Sequence, residues 1–335
     1  MLTLLSFRNI FIAAMLALLI GPLAQWLARR IGLVDVPNRE LHKQHVKTVP
    51  VAGGFILVIT VLAVGFWQQL WDWQTVRAML VSSSVLFLFG VWDDVKGLSP
   101  LVKLIGQMLG AIVLISMGVQ VLLFQENWIN VGITLLWLVG ITNAYNFVDS
   151  MDGLAIGLGA QAAAFFMLVT SDSGQAELSL LSAILLGACV GCFYFNALPA
   201  RFFLGDSGSQ FLGFLLAGLA IAYNPPGYER LQSWYIPILL MGVPLFDITL
   251  VVFSRLRHKR PIYKASRDHT YHRLVQMGMS SNRAVLSMHI TALLLGCLAF
   301  IALGLPPLVA NAIFAAILLI GLIALFLLES QSQPQ

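Results

Sequence analysis

Eleven apolar runs, each near the roughly 20 residues that cross a bilayer, leave this chain few folds other than a bundle of membrane helices. They lie at about 5–28, 51–70, 76–92, 100–123, 129–145, 153–170, 179–196, 208–223, 234–254, 284–303 and 307–328. Only 10% of the 335 residues are charged and 59% are hydrophobic, whereas a soluble domain carries about 25% charge. No long polar segment separates any two runs. The expected fold is therefore an all-α polytopic integral membrane protein, a single transmembrane domain over residues 1–335. The first run lacks a convincing cleavage site and reads as a retained helix. The polar tail from Glu329 reads as frayed. Cys189, Cys192 and Cys297 all fall inside apolar runs, which argues against a disulfide framework.

Basic residues orient the bundle. Sixteen of the nineteen Lys and Arg fall in or beside the loops after runs 1, 3, 5, 7 and 9, leaving only Arg8, Arg77 and Arg230 on the other side. The loops near 29–50, 92–100, 145–153, 197–208 and 255–283 are then cytoplasmic, the N-terminus outside and the C-terminus inside. The net charge of +4 is thereby explained by topology, and no nucleic-acid partner is implied.

The chemistry-bearing residues gather on that same side. Asn143, Asn146, Asp149 and Asp152 recur every three residues between runs 5 and 6. On an α-helix, steps of three drift by 60° each, so all four can face one site only if the turn tightens or the helix ends and the chain wraps. Asp93 and Asp94 close run 3, where a helix C-terminus disfavours negative charge. Adjacent carboxylates there bind a divalent metal, take a proton, or do both. Gly205-Asp206-Ser207-Gly208 opens run 8. Its free N–H groups favour an anion, and a metal would reconcile Asp206 with a phosphate. Lys47 precedes Gly53-Gly54, a pair suited to close backbone approach. His269 and His272 share a face if their stretch is helical, and Arg273 follows them. The basic cluster of this last loop also suits anionic lipid head groups. Asp247, inside run 9, is either a functional carboxylate or a structural one.

In combination these motifs resemble the polyprenyl-phosphate N-acetylhexosamine-1-phosphate transferases. Asp93-Asp94 is similar to the family's paired aspartates, and Asn146-x-x-Asp149-x-x-Asp152-Gly153 to its Asn-x-x-Asp-x-x-Asp-Gly element. Asp206 lies in the Gly-Asp-x-Gly-Ser element, Lys47 before Pro-x-x-Gly-Gly, and His269 and His272 at the outer positions of a His-x-His-His cluster. Gly97 replaces a further family aspartate and Tyr271 the middle histidine.

The resemblance implies an eleven-helix catalytic domain in the bacterial inner membrane, with Mg²⁺ or Mn²⁺ as cofactor. It implies UDP-GlcNAc as donor, undecaprenyl phosphate or a similar polyprenyl phosphate as acceptor, and membrane lipids around the site; a homodimer is compatible with it. Another UDP-hexosamine or UDP-MurNAc-pentapeptide is the alternative donor, and a transporter with an acidic site the more distant alternative. The implied roles are catalytic for Asp93, Asp94, Asp149, Asp152 and His269. They are substrate-binding for Lys47, Asn143, Asn146, His272 and Arg273, and metal-binding for Asp206 with Asp94.

Overall fold

The computed structural model describes residues 2–35, 48–197, 199–228, 233–261 and 268–330. Lys47 and most of the first loop lie outside the described residues. The chain divides into two compact units, Met1–Asn224 and Pro225–Gln335.

In the first unit the helices are α1 (Leu2–Arg30), α2 (Gly53–Trp67), α3 (Gln74–Lys96), α4 (Pro100–Ser116), α5 (Asn127–Val148), α6 (Leu154–Asp172), α7 (Ala176–Asn196) and α8 (Gly205–Ala222). α8 is the centre of this unit. Every residue from Ser207 to Ala220 is buried, and α2, α3, α5 and α6 all pack against it. α4 bridges α3 and α5, while α1 packs on α2 and α7. The outward face of α1 keeps Leu4, Phe7, Phe11, Leu19 and Leu23 exposed, as a lipid-facing surface requires.

Two boundaries differ from the sequence expectation. α4 stops at Ser116 because Gly118 turns left-handed (φ +92°). The following loop is stitched to α5 through Val121 N to Thr134 Oγ1 (2.9 Å) and Phe124 N to Asn130 Oδ1 (2.9 Å). α2 starts only at Gly53 because the chain before it is extended. β1 (Val34–Asp35) pairs antiparallel with β2 (Val49–Pro50), and Val51 bridges to Phe203. Phe203 N donates to Pro50 O (2.9 Å), and Gly53 N and Gly54 N return bonds to Phe203 O and Leu204 O (3.0 Å each). The close approach suggested by Gly53-Gly54 is thus to the backbone that opens α8.

The second unit holds α9 (Ile236–Leu240), α10 (Gly242–Arg257), α11 (Thr270–Gln276), α12 (Ser281–Leu303) and α13 (Pro307–Ser330). The expected ninth span is broken at Met241. Pro244 has no N–H to give to the carbonyl of Leu240, so the helical ladder is interrupted there. α13 runs through Glu329, so the tail does not fray at that residue: its side chain is buried. In total, seven helices among the described residues are long and apolar enough to cross a membrane, and α2 and α4 are shorter apolar helices.

One contact decides how deep α8 sits. A Cβ at Gly90 of α3 would lie 2.4 Å from Ser207 Cα and 2.7 Å from the carbonyl oxygen of Asp206. Backbone cannot yield as a flexible side chain does. Gly90→Ala is expected to destabilise the detergent-solubilised protein by about 1–3 kcal/mol, the usual cost of overpacking. A thermal melt that matches wild type would show that α8 does not press on α3 this closely.

Candidate active site

The start of α8 meets the end of α3, and this junction assembles the carboxylates. A helix N-terminus leaves its first N–H groups without intrahelical partners. Here two of them are taken by Asp94: Asp206 N donates to Oδ1 (2.7 Å) and Ser207 N to Oδ2 (3.1 Å). The anion expected at this helix start is therefore a carboxylate of the protein itself. The fit requires Gly205, which is left-handed (φ +77°); a Cβ there would come within 2.8 Å of Asp94 Oδ2 and closer still to Val51.

Asp93 turns the other way. Its Oδ1 accepts from Leu98 N (2.7 Å), and its Oδ2 is ion-paired with the ammonium of Lys103. Lys103 Nζ also reaches Asp206 Oδ1 (3.2 Å), so one cation bridges two carboxylates. From α5, Asn146 Nδ2 donates to the same Asp206 oxygen (2.6 Å) and to Ser209 Oγ (3.0 Å).

α5 ends at Val148 and the chain wraps through a turn to Gly153 (φ +73°), so the three-residue spacing does not form a single polar face. Asn143 exchanges hydrogen bonds with the buried amide of Gln107 on α4, Nδ2 to Oε1 at 2.8 Å and Nε2 to Oδ1 at 3.2 Å. Asp152 Oδ2 accepts from Ala200 N (3.0 Å), beside Asn196, which takes Gly153 N (3.0 Å) and gives to Phe202 O (2.9 Å). Asp152 and Asn196 thus tie the turn before α6 to the segment that leads into α8.

Asp149 lies between these groups. Burial pushes its carboxyl well above the usual carboxylate range, and the negative charges of Asp206, Asp94 and Asp152 push it further, with a backbone hydrogen bond from Gly205 opposing. Asp94 is pushed the same way, to about 7, by burial and by the charge of Asp206, so two carboxyls of this cluster hold their protons above the usual range.

Among the described residues no three His, Cys, Asp or Glu side chains come together as a ready-made metal cage. Mg²⁺ does not need one: it uses one or two carboxylates and completes its shell with water and substrate phosphates. An ammonium held between Asp93 and Asp206 marks a position that favours positive charge, so the donor set fits such an ion. Sequence reasoning counted Lys103 only among the topology-setting cations. The signal was available, since a lysine within an apolar helix is a functional candidate.

In the second unit His269 Nδ1 faces Asp247 Oδ2 (2.8 Å), and the His272 ring lies 5.8 Å from that of His269. Arg273 points inward to Glu329, Ser254 and the carbonyls of Asp268 and Leu328.

Residues 76–224 match glycosyl transferase family 4. The chain is 32% identical over 292 residues to a Bacillus subtilis protein named probable undecaprenyl-phosphate N-acetylglucosaminyl 1-phosphate transferase, covering 84% of this chain and 80% of that one. It is also 32% identical over 310 residues to the Mycobacterium tuberculosis decaprenyl-phosphate N-acetylglucosaminephosphotransferase, covering 81% and 75%. A Limosilactobacillus fermentum phospho-N-acetylmuramoyl-pentapeptide-transferase is 29% identical over 230 residues, covering 63% and 69%. Fold and likeness together define a multi-pass membrane enzyme of the glycosyl-1-phosphate transferase class. Within that class the chain belongs to glycosyl transferase family 4, whose matched region contains every carboxylate of the α3–α8 junction.

The state of Asp149 has a measurable consequence. Its folded pKa stands above the ordinary 3.8, so between the two values the folded state holds a proton that the unfolded state has released. Stability from this group therefore falls as pH rises through that window. In metal-free protein, Asp149→Asn is expected to melt above wild type by about 2–4 °C near neutral pH, with the gap closing toward pH ~4. A gap that widens on acidification would reverse the assignment.

Proposed function

We propose that this enzyme transfers N-acetylglucosamine 1-phosphate from UDP-GlcNAc to a polyprenyl phosphate such as undecaprenyl phosphate. The products are UMP and a lipid-linked pyrophosphoryl sugar, the starting unit of a cell-envelope polysaccharide. The observation that carries the reading is the α3–α8 junction, where Lys103 bridges Asp93 and Asp206 above a helix start already neutralised by Asp94. The named relatives support the lipid phosphate and the amino sugar, and two of the three favour N-acetylglucosamine over the muramoyl pentapeptide.

In the reaction an oxygen of the lipid phosphate attacks the β-phosphorus of the donor. A new P–O bond forms as the bond to the UMP oxygen breaks. One pyrophosphate replaces another, so the step is reversible and catalysis lies in positioning and charge neutralisation. Asp206 and Asp93 would hold the Mg²⁺ or Mn²⁺, which when bound supplies positive charge to the donor's phosphates. Lys103 offsets charge at the same carboxylates. Asn146 holds Asp206 in place from α5, and Asn143 acts through Gln107. Asp94 sets the pose of α8, and Asp152 sets that of the segment before it. Asp149, whose carboxyl is held well above the usual range, is suited to exchange a proton with a phosphate oxygen. Lys47, His269 and His272 add cationic or donor groups for the substrates' phosphates. With sixteen of nineteen basic residues assigned to one side, this chemistry belongs at the cytoplasmic face of the bacterial inner membrane.

Purified protein supplied with UDP-GlcNAc, undecaprenyl phosphate and Mg²⁺ is expected to release UMP, and omission of any one should stop it. Folded protein that releases no UMP from any UDP-hexosamine would end this reading. Asp206→Asn should abolish turnover, and Lys103→Met should lower kcat by about 10²–10³-fold, as loss of one charge-stabilising group does. Full activity in Asp206→Asn would remove the metal assignment while leaving the substrate reading intact.

A further inference from the structure

α11, with His269 at its N-cap and His272 within it, has only seven residues, Thr270–Gln276, too few to be stable on its own. No side chain of its own caps it: His269, the residue at its N-cap, makes no capping hydrogen bond. The cap comes from another helix. Asp247 of α10, 1% exposed, accepts Thr270 N at Oδ1 (2.7 Å) while its Oδ2 faces His269 Nδ1 (2.8 Å). One buried carboxylate therefore fixes both the first turn of the helix and the ring of the residue before it.

The next turn is held by a second buried carboxylate. Arg273, 3% exposed, pairs with Glu329 Oε2 through Nη1 (2.8 Å) and donates to Ser254 Oγ through Nη2 (2.8 Å). It also donates to Leu328 O (2.8 Å) and Asp268 O (3.1 Å). Asp247 and Ser254 are seven residues apart on α10 and share a face, so α10 receives both turns of α11 along one stripe. Glu329 also lies 3.5 Å from His258 Nδ1. Charges taken out of water at this expense keep their place only when well paired. Here the pairing holds a short helix rather than a ligand.

We propose that Asp247 is the positioning residue of His269, holding the ring by Nδ1 so that Nε2 is the nitrogen turned to a phosphate group of the substrates, while Arg273 serves Glu329 instead of substrate. This inference rests on the phosphoryl-transfer reading above. An imidazole nitrogen facing a carboxylate carries its proton there, which fixes the ring and leaves Nε2 as the nitrogen for the phosphate group. Among the described residues, the charged and titratable groups near the pair include Asp247 itself, His272 at 5.8 Å ring to ring, Arg255 on α10 and Asp268 beside the N-cap.

The test uses the full-length protein in detergent and follows UMP release. Asn and Gln replace different nitrogens of histidine: the Asn amide lies near Nδ1 and the Gln amide near Nε2. His269→Asn keeps the bond to Asp247 and should melt like wild type yet lose about 10²-fold or more in kcat. His269→Gln should retain at least several-fold more activity than His269→Asn. Asp247→Asn should lower kcat by about 10–100-fold, because the ring loses the partner that fixes its orientation. Should Asp247→Asn not fold, the His269 pair decides alone. His269→Asn as active as His269→Gln would overturn the orientation, as would wild-type kcat in folded Asp247→Asn. Glu329→Gln should lower the melting temperature with donor KM within about twofold of wild type. A tenfold rise in donor KM for Arg273→Lys at an unchanged melting temperature would return Arg273 to the substrate. Wild-type protein that releases no UMP would instead fail the underlying reading, so the two failures are separable.

Discussion

The meeting of two helix ends, the C-terminus of α3 and the N-terminus of α8, is the constraint on which the first unit depends. Each end alone is unfavourable. Asp93 and Asp94 sit where the α3 dipole repels negative charge, and α8 begins with unpaired N–H groups in a buried position. Brought together, one deficit offsets the other, because the carboxylate of Asp94 takes two of the N–H groups. Hydrogen bonds to a charged acceptor contribute about 1.5–3 kcal/mol each, and leaving either side unpaired would cost more. Gly90 and Gly205 are the steric condition for this contact, since a side chain at either would occupy the space of Asp206 and Ser207 backbone or of Asp94.

Once α8 is seated, its second residue is placed without further choice. Asp206 projects from the first turn toward α4 and α5, where Lys103 and Asn146 take the same oxygen. The arrangement neutralises part of the charge while keeping Asp206 only half-buried, and that residual access is what an ion or a substrate phosphate needs. Asp149 is the counter-example in the same cluster. Buried beside three other acids, it is driven toward its neutral form. A carboxyl that holds its proton thus stands in the same cluster as the two carboxylates that share Lys103.

The second unit solves a related problem with different parts. A bilayer offers no water to satisfy buried polar groups, so every polar side chain there has to be paired within the protein. Asp247 and Glu329 meet that demand by engaging α11, and a segment too short to fold alone acquires a fixed place. Asp247, which by sequence could be a functional or a structural carboxylate, is bound to the first turn of α11 and the histidine before it.

Much of this was legible in the chain. Apolar run length alone determined the helical membrane class, because a backbone in hydrocarbon has to bond internally. Acids and amides spaced between the runs named Asp93, Asp94, Asn146, Asp149 and Asp206 as neighbours. Less legible were residues whose role depends on where a different helix lies. Lys103 reads as one more basic residue until α4 is placed beside α3 and α8. Asn143 and Asp152 share the motif of Asn146, yet Asn143 meets Gln107 from within α5, and the wrap after Val148 carries Asp152 to Ala200. Glu329 looks like the start of a polar tail, and only the packing of α13 shows it paired with Arg273, 56 positions earlier in the sequence. Local composition determines which segments cross the bilayer and which side chains are too costly to bury alone. Which of them meet is decided by tertiary packing, because pairing a buried charge requires a partner at hydrogen-bond distance and sequence separation carries no such distance.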